Sequence, residues 1–319
     1  MTIRIDETSE LCQKVIAEVE KAVVGKHDLL ETILASMLAG GHVLLEDYPG
    51  LGKTLIAKSF AAVLGLDFKR IQFTPDLLPG DITGGYIYNR TKDRFELRSG
   101  PILTNILLAD EINRASPKTQ SALLEAMQEG QVTMEGETIH LPEPFLVLAT
   151  QNPIEYEGTF PLPEAQLDRF MLKVTVGYPT VEEEKEILHR RRQRQVDEVK
   201  LRRITTRKQI LEMRQAVESI HMDEDLEGYI ATIVHETRGD RHVSVGASPR
   251  GSLAFLKMAR ARAALLGRDY VLPDDIKHFA MPVLCHRLIL QPEYWLTRDV
   301  SERLINEIIA RVEVPVVRK

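Results

Sequence analysis

Cysteine is nearly missing from this 319-residue chain, which has two, Cys12 and Cys285, far apart in sequence. Two distant cysteines make neither the disulfide framework of a small secreted domain nor a metal cluster. Both sit in apolar surroundings and read as buried or half-buried thiols of a reducing compartment. Long hydrophobic runs are missing too. The most apolar stretches are short and broken by charge, so no segment is expected to insert into a membrane. The opening MTIRIDETSE carries no apolar core, so no signal peptide is expected and the cytoplasm is the default location. A basic excess is also lacking: 41 Lys and Arg against 47 Asp and Glu give a formal net charge of -6. Such a chain is a poor default binder of nucleic-acid backbone, which wants a basic surface. Internal repeats and low-complexity segments are absent.

What is present suits a globular protein with a core. Hydrophobic residues make up 44%, enough for a core, and the length favours two domains or one large one. Leu11, Val15 and Val19 recur at helical spacing, and a second helix runs from about Asp28 to Gly40-Gly41. His42 to Glu46 is a short apolar strand, Lys53 to Leu64 a helix stopped by Gly65, and Phe68 to Phe73 a second strand. Asn105 to Asp110, Phe145 to Thr150 and Met171 to Val176 are further strands, nearly all apolar, as in parallel sheets buried on both faces. Ser116-Pro117 starts a helix that Gly130 ends. Strands alternating with crossover-length helices predict an α/β fold with a parallel sheet. Two hairpins interrupt this rhythm, one from Tyr86 to Leu97 and one from Val132 to Leu141 with its turn at Glu135-Gly136-Glu137. After Pro179 the patterns are mainly helical, beginning at the Thr180 cap. The expected division is therefore 1–178 and 179–319, with Val312 to Lys319 loosely held.

The densest chemistry lies at Asp47-Tyr48-Pro49-Gly50-Leu51-Gly52-Lys53-Thr54. It follows an apolar strand and opens a helix, the setting of a phosphate-binding loop. Gly50 and Gly52 let backbone N–H groups approach phosphate. Lys53 is placed for the β- and γ-phosphates, and the Thr54 hydroxyl for Mg2+. Asp47 stands where the usual pattern begins with glycine, a departure expected to be tolerated because aspartate accepts unusual turn backbone. Asp110-Glu111 ends an apolar strand, where ligands bind in open α/β sheets. Asp110 suits the Mg2+ shell and Glu111 a general base for water. Alone, such a pair would be two solvated acids; beside a phosphate loop it reads as catalytic. Asn152, after the next strand, can orient water or touch the γ-phosphate. Arg169 and Arg250 are candidates to stabilise charge during phosphoryl transfer, although spacing alone would leave either an ordinary surface arginine. Together these imply binding and hydrolysis of ATP with Mg2+.

These residues resemble the MoxR family of AAA+ ATPases over nearly the whole chain. The likeness is carried by Leu44 to Thr54, Gln72 to Pro79, Asp110 to Met127, Thr150 to Pro153, Leu162 to Phe170 and Gly246 to Arg250. It implies a P-loop AAA+ sandwich followed by a small helical lid domain. It also implies a helix-2 insert at about 75–100 and a presensor-1 hairpin at about 131–142, both facing a pore. By resemblance Lys53, Thr54, Asp110 and Glu111 are Walker residues, with Pro49, Gly50, Leu51 and Gly52 in the loop. Asn152 matches sensor 1 and Arg250 sensor 2. Arg169 matches an arginine finger acting on a neighbour's ATP, and Val24-Gly25 the adenine side. A ring, usually a hexamer, is implied. So is chaperone-like remodelling, maturation or activation of partner proteins, often ones with a von Willebrand factor A domain. Two alternatives stay open: a nucleic-acid motor, and a nucleotide-gated scaffold with negligible turnover. The first insert holds Arg90, Lys92, Arg94 and Arg98 with Asp93 and Glu96 interleaved, whereas the second holds Glu135, Glu137 and Glu143 and no Lys or Arg, an acidic hairpin that grips DNA poorly.

Overall fold

The computed structural model describes residues 3–134, 136–153, 158–295, 297 and 299–315, the side chain of Asn89 apart. In chain order, helices α1 (Ile5–Val19) and α2 (His27–Leu38) precede strand β1 (Val43–Glu46), helix α3 (Lys53–Leu64) and strand β2 (Phe68–Gln72). A short helix α4 (Pro79–Thr83) leads into the hairpin β3 (Gly84–Asn89) and β4 (Arg94–Ser99). Strand β5 (Ile106–Asp110) and helix α5 (Pro117–Glu129) come next, then the hairpin β6 (Gln131–Met134) and β7 (Glu137–His140). Strand β8 (Leu146–Gln151), the single turn α6 (Glu164–Leu167) and strand β9 (Leu172–Val174) complete the sheet-bearing part. The rest holds α7 (Val181–Arg194), α8 (Arg207–Glu218), α9 (Glu224–Gly239), β10 (Val243–Val245), α10 (Pro249–Leu265), α11 (Pro273–His278), α12 (Ala280–Leu284), β11 (Ile289–Leu290) and α13 (Val300–Arg311).

Five strands form one parallel sheet in the order β2-β5-β8-β1-β9. Alternation sorts their side chains. Ile106 and Leu108 join one apolar cluster, while Leu107 and Ala109 join another on the opposite face. The first cluster runs without interruption into α8, α10 and α12, so that face of the sheet and the helical part share one core. The expected helix signals work as read. Ser116 accepts from the Thr119 N–H, Thr180 accepts from the Glu183 N–H, and Gly65 and Gly130 end their helices in the left-handed region.

Beyond shifts of a residue or two at element ends, the structure differs from the sequence reading in these places. Glu137 belongs to β7, paired with Met134, so the turn is shorter; its other expected member, Glu135, lies outside the described residues, as does 316–319 of the tail. The last sheet strand stops at Val174, because the next N–H groups turn toward Asp47. The helical part also contains a short antiparallel pair, β10 with β11, too brief to show an apolar run. His42 fastens the base of β1: its Nδ1 accepts from the Val147 N–H at 3.0 Å and its Nε2 donates to the Met127 carbonyl at 3.0 Å. Burial pushes its pKa down to about 4, so it stays neutral near pH 7.

Candidate active site

At the carboxyl end of β1 the chain turns sharply into α3, with Gly50 at φ 86° and Gly52 at φ 81°. A Cβ at either glycine would meet nothing among the described residues, but side chains rarely adopt that backbone, so glycine is required for conformation. Among the described residues no side chain caps α3, which leaves its first N–H groups for a ligand. The Lys53 ammonium reaches back to the Asp47 carbonyl at 2.6 Å, and burial lowers its pKa against the pull of Asp47, Asp110 and Glu111.

Asp47 is more than tolerated. Its backbone is not left-handed; what matters is its buried carboxylate. One oxygen accepts from Val176 N–H at 2.7 Å and Gly177 N–H at 2.6 Å, and the other from Tyr48 N–H at 2.8 Å. The loop is thereby tied to the segment that leads into the helical part. Beside this tie the rings of Tyr48 and Tyr178 stack with centroids 5.8 Å apart.

A cavity of about 240 Å³ opens in front of the loop, lined by Lys53, Thr54, Asp110, Glu111 and Asn152 among others. Parallel pairing of β2 with β5 sets Gln72 directly beside Asp110. That pairing brings in Arg70, which lies outside every motif, together with Gln72, while β8 and the turn after β5 supply Thr150 and Arg114. Arg70 reaches Asp110 Oδ2 through Nη2 at 2.6 Å and Nε at 3.1 Å. The Thr150 hydroxyl donates to Asp110 Oδ1 at 2.6 Å and accepts from the Glu111 N–H at 2.8 Å. Gln72 donates to Glu111 Oε2 at 2.6 Å, and Arg114 meets the same oxygen at 2.9 Å. Glu111 itself holds a left-handed backbone at φ 55°, a strained state for a non-glycine residue that turns its side chain into the cavity. Uncapped N–H groups and a lysine for phosphate, with a hydroxyl and a carboxylate as hard oxygen donors, fit ATP and Mg2+. Val24 and Gly25 do not line the cavity. Gly25 lies against Glu183 of α7, and neighbouring Lys26 donates to the Tyr178 carbonyl at 3.2 Å, beside the stacked tyrosines.

Arg169 and Arg250 are elsewhere. Arg169 precedes β9, and the Met171 N–H bonds to the His42 carbonyl at the start of β1. The phosphate loop leaves the other end of β1, about 13 Å of strand away. A separate notch at this opposite edge is lined by Arg169, Arg250, Lys257 and Arg287 with Asp168. The structure therefore brings the two arginines to each other and not to Lys53.

A parallel sheet in this order, a phosphate loop after β1 with two carboxylates at the end of β5, one strand removed across β8, and a helical part behind it define a P-loop ATPase of the AAA+ class. Residues 42–172 match the ATPase family associated with various cellular activities (AAA), and 235–308 match the AAA lid domain. Chaperone MoxR1 of Mycobacterium tuberculosis is 44% identical over 95% of this chain and 82% of its own. The uncharacterized protein YeaC of Bacillus subtilis is 49% identical over 98% of each. The crystal structure of a candidate ATPase from Cytophaga hutchinsonii superposes with a TM-score of 0.91 at 43% identity, covering 97% of this chain and 96% of that one. The chain belongs to the MoxR family of AAA+ ATPases.

Proposed function

We propose that the chain hydrolyses ATP with Mg2+ in a ring, a hexamer by family likeness, and uses the turnover to remodel, mature or activate a partner protein. In this reading Lys53 and the N–H groups from Gly50 to Thr54 bind the phosphates. Thr54 and Asp110 hold the cation shell. Mg2+, when bound, neutralises charge on the β- and γ-oxygens. Glu111 takes the proton of the attacking water, and Asn152 orients that water. Val24 and Gly25, with the Tyr48–Tyr178 stack, take the adenine side. Arg169 and Arg250 complete the phosphate site of the neighbouring subunit. The observation that carries the reading is this separation of Lys53 from the arginines by the length of a strand. A site whose cations lie at opposite edges of one subunit is whole only between two.

The division at 178/179 is proposed as the hinge, with Asp47 bridging to it. The partner class, a protein with a von Willebrand factor A domain, rests on the family resemblance. A protein substrate also suits the first hairpin, whose Ile87, Tyr88, Phe95 and Leu97 are exposed. In that hairpin Lys92 and Arg94 both pair with Glu96, which leaves Arg90 and Arg98 as its remaining basic residues. Free Cys12 and Cys285 support the cytoplasm as its location. Steady-state hydrolysis against protein concentration, with mass photometry at each point, tests the shared site. Specific activity should rise as rings assemble; activity carried by a monomer at constant specific rate would reject it.

A further inference from the structure

We infer that Arg287 is the positioning residue of the arginine pair: one buried guanidinium fixes the segment that carries Arg169 and, through Asp168, the start of the helix that carries Arg250. The inference rests on the proposed sharing of sites between subunits and extends it to a residue outside every motif.

Arg287 follows α12, and its side chain is 2% exposed. Nε donates to Asp168 Oδ1 at 2.9 Å, and Nη2 to the Phe170 carbonyl at 2.7 Å. Nη1 donates to the Met171 carbonyl at 3.2 Å and to the Val283 carbonyl. Residues 168, 170 and 171 are therefore all gripped, with Arg169 between them and its own guanidinium left to the notch. The second oxygen of Asp168 accepts the Ser248 hydroxyl at 2.8 Å, and the Ser248 Oγ accepts the Arg250 N–H at 3.1 Å. Arg250 Nη1 stands 3.9 Å from the same carboxylate oxygen. A single chain of contacts thus runs from Val283 through Arg287 and Asp168 to both arginines.

The residue type follows from that task. Only a planar fork of N–H donors can serve a carboxylate and three carbonyls lying in different directions; an ammonium offers a point charge. Stability alone does not call for it, since a packed apolar side chain of similar volume often replaces a buried ion pair without loss. An apolar side chain could not set the direction of the backbone on either side of Arg169. Rotation of the helical part would be felt at both arginines together.

The test is Arg287→Lys, with Arg169→Ala and Lys53→Ala as reference variants. ATP affinity, read at the variant's own intact phosphate loop at the other edge of the sheet, should stay within about twofold of wild type. Turnover should fall by about tenfold to a hundredfold, as misplacement of a reacting group costs. Mixing Arg287→Lys with Lys53→Ala should restore turnover, because the second chain supplies correctly held arginines. A general structural defect would not be rescued that way. Asp168→Asn, nearly isosteric, should show the same loss of kcat and the same recovery in milder form, and serves if Arg287→Lys folds poorly. Turnover of Arg287→Lys close to wild type overturns the inference. So does loss without recovery while the Arg169→Ala mixture recovers. Should neither mixture recover, the shared site fails and the inference fails with it.

Discussion

Replacing Asp47 with glycine, the residue usual at the head of a phosphate loop, should destabilise this protein although it restores the common pattern. The Asp47 carboxylate is buried and accepts three backbone N–H groups, from Tyr48, Val176 and Gly177. Each such bond contributes about 1–1.5 kcal/mol net, and an orphaned buried donor costs as much again where water cannot reach it. Glycine also lengthens the list of unfolded conformations by about 0.5–1 kcal/mol. The expected loss is about 3.5–5.5 kcal/mol, and more where the freed donors stay dry, a large share of the stability of a typical domain. Asp47→Asn keeps one acceptor oxygen but turns an NH2 toward a donor, so it should lose roughly half as much. Urea unfolding followed by circular dichroism, with unchanged m-value, reads this directly. A loss below about 1 kcal/mol for Asp47→Gly would refute the tie between loop and hinge, since a single ordinary hydrogen bond would account for it.

Other expectations follow from the site. Glu111→Gln should bind ATP but turn over at least a hundredfold more slowly, on the scale of a lost general base, in a phosphate-release assay; unchanged release would remove Glu111 from its role. Arg70→Ala should raise the apparent Mg2+ affinity of fluorescent-ATP binding by about twofold to fivefold, because a half-exposed ion pair worth roughly 0.5–1 kcal/mol no longer competes for Asp110. His42 is neutral in the fold with a pKa near 4, below the ordinary value of 6.5, so the unfolded chain binds the extra proton first and stability falls between pH 6.5 and 4. From pH 7 to pH 5 this one residue should cost about 2 kcal/mol, and His42→Gln should flatten that part of the urea-midpoint profile. Added DNA or RNA should leave the hydrolysis rate flat; strong stimulation would favour the motor reading.

Much of this site is legible in the sequence because its chemistry is contiguous. A phosphate loop is eight neighbouring residues between a strand and a helix, and Asp110-Glu111 is the end of one apolar strand. What the sequence hides is set by register. Gln72 meets Glu111, and Arg70 meets Asp110, only because β2 pairs with β5 so that Gln72 lies opposite Asp110. Asp47 reads as a tolerated departure until β9 ends and sends two N–H groups to it. Arg287 carries no motif and finds three of its four partners 116 to 119 positions away. Arg250 reads as a lid residue over the phosphates, yet α10 begins at the other edge of the sheet, next to Arg169.

Mixed rings of Arg169→Ala and Lys53→Ala subunits test the shared site most directly. Each variant alone should be inactive, one for want of the arginine and the other for want of the phosphate lysine. A random equal mixture places an intact loop against an intact arginine at about one interface in four of a closed ring. The account predicts recovery approaching a quarter of wild-type turnover. Mixtures that assemble into rings and stay as inactive as either parent would contradict it.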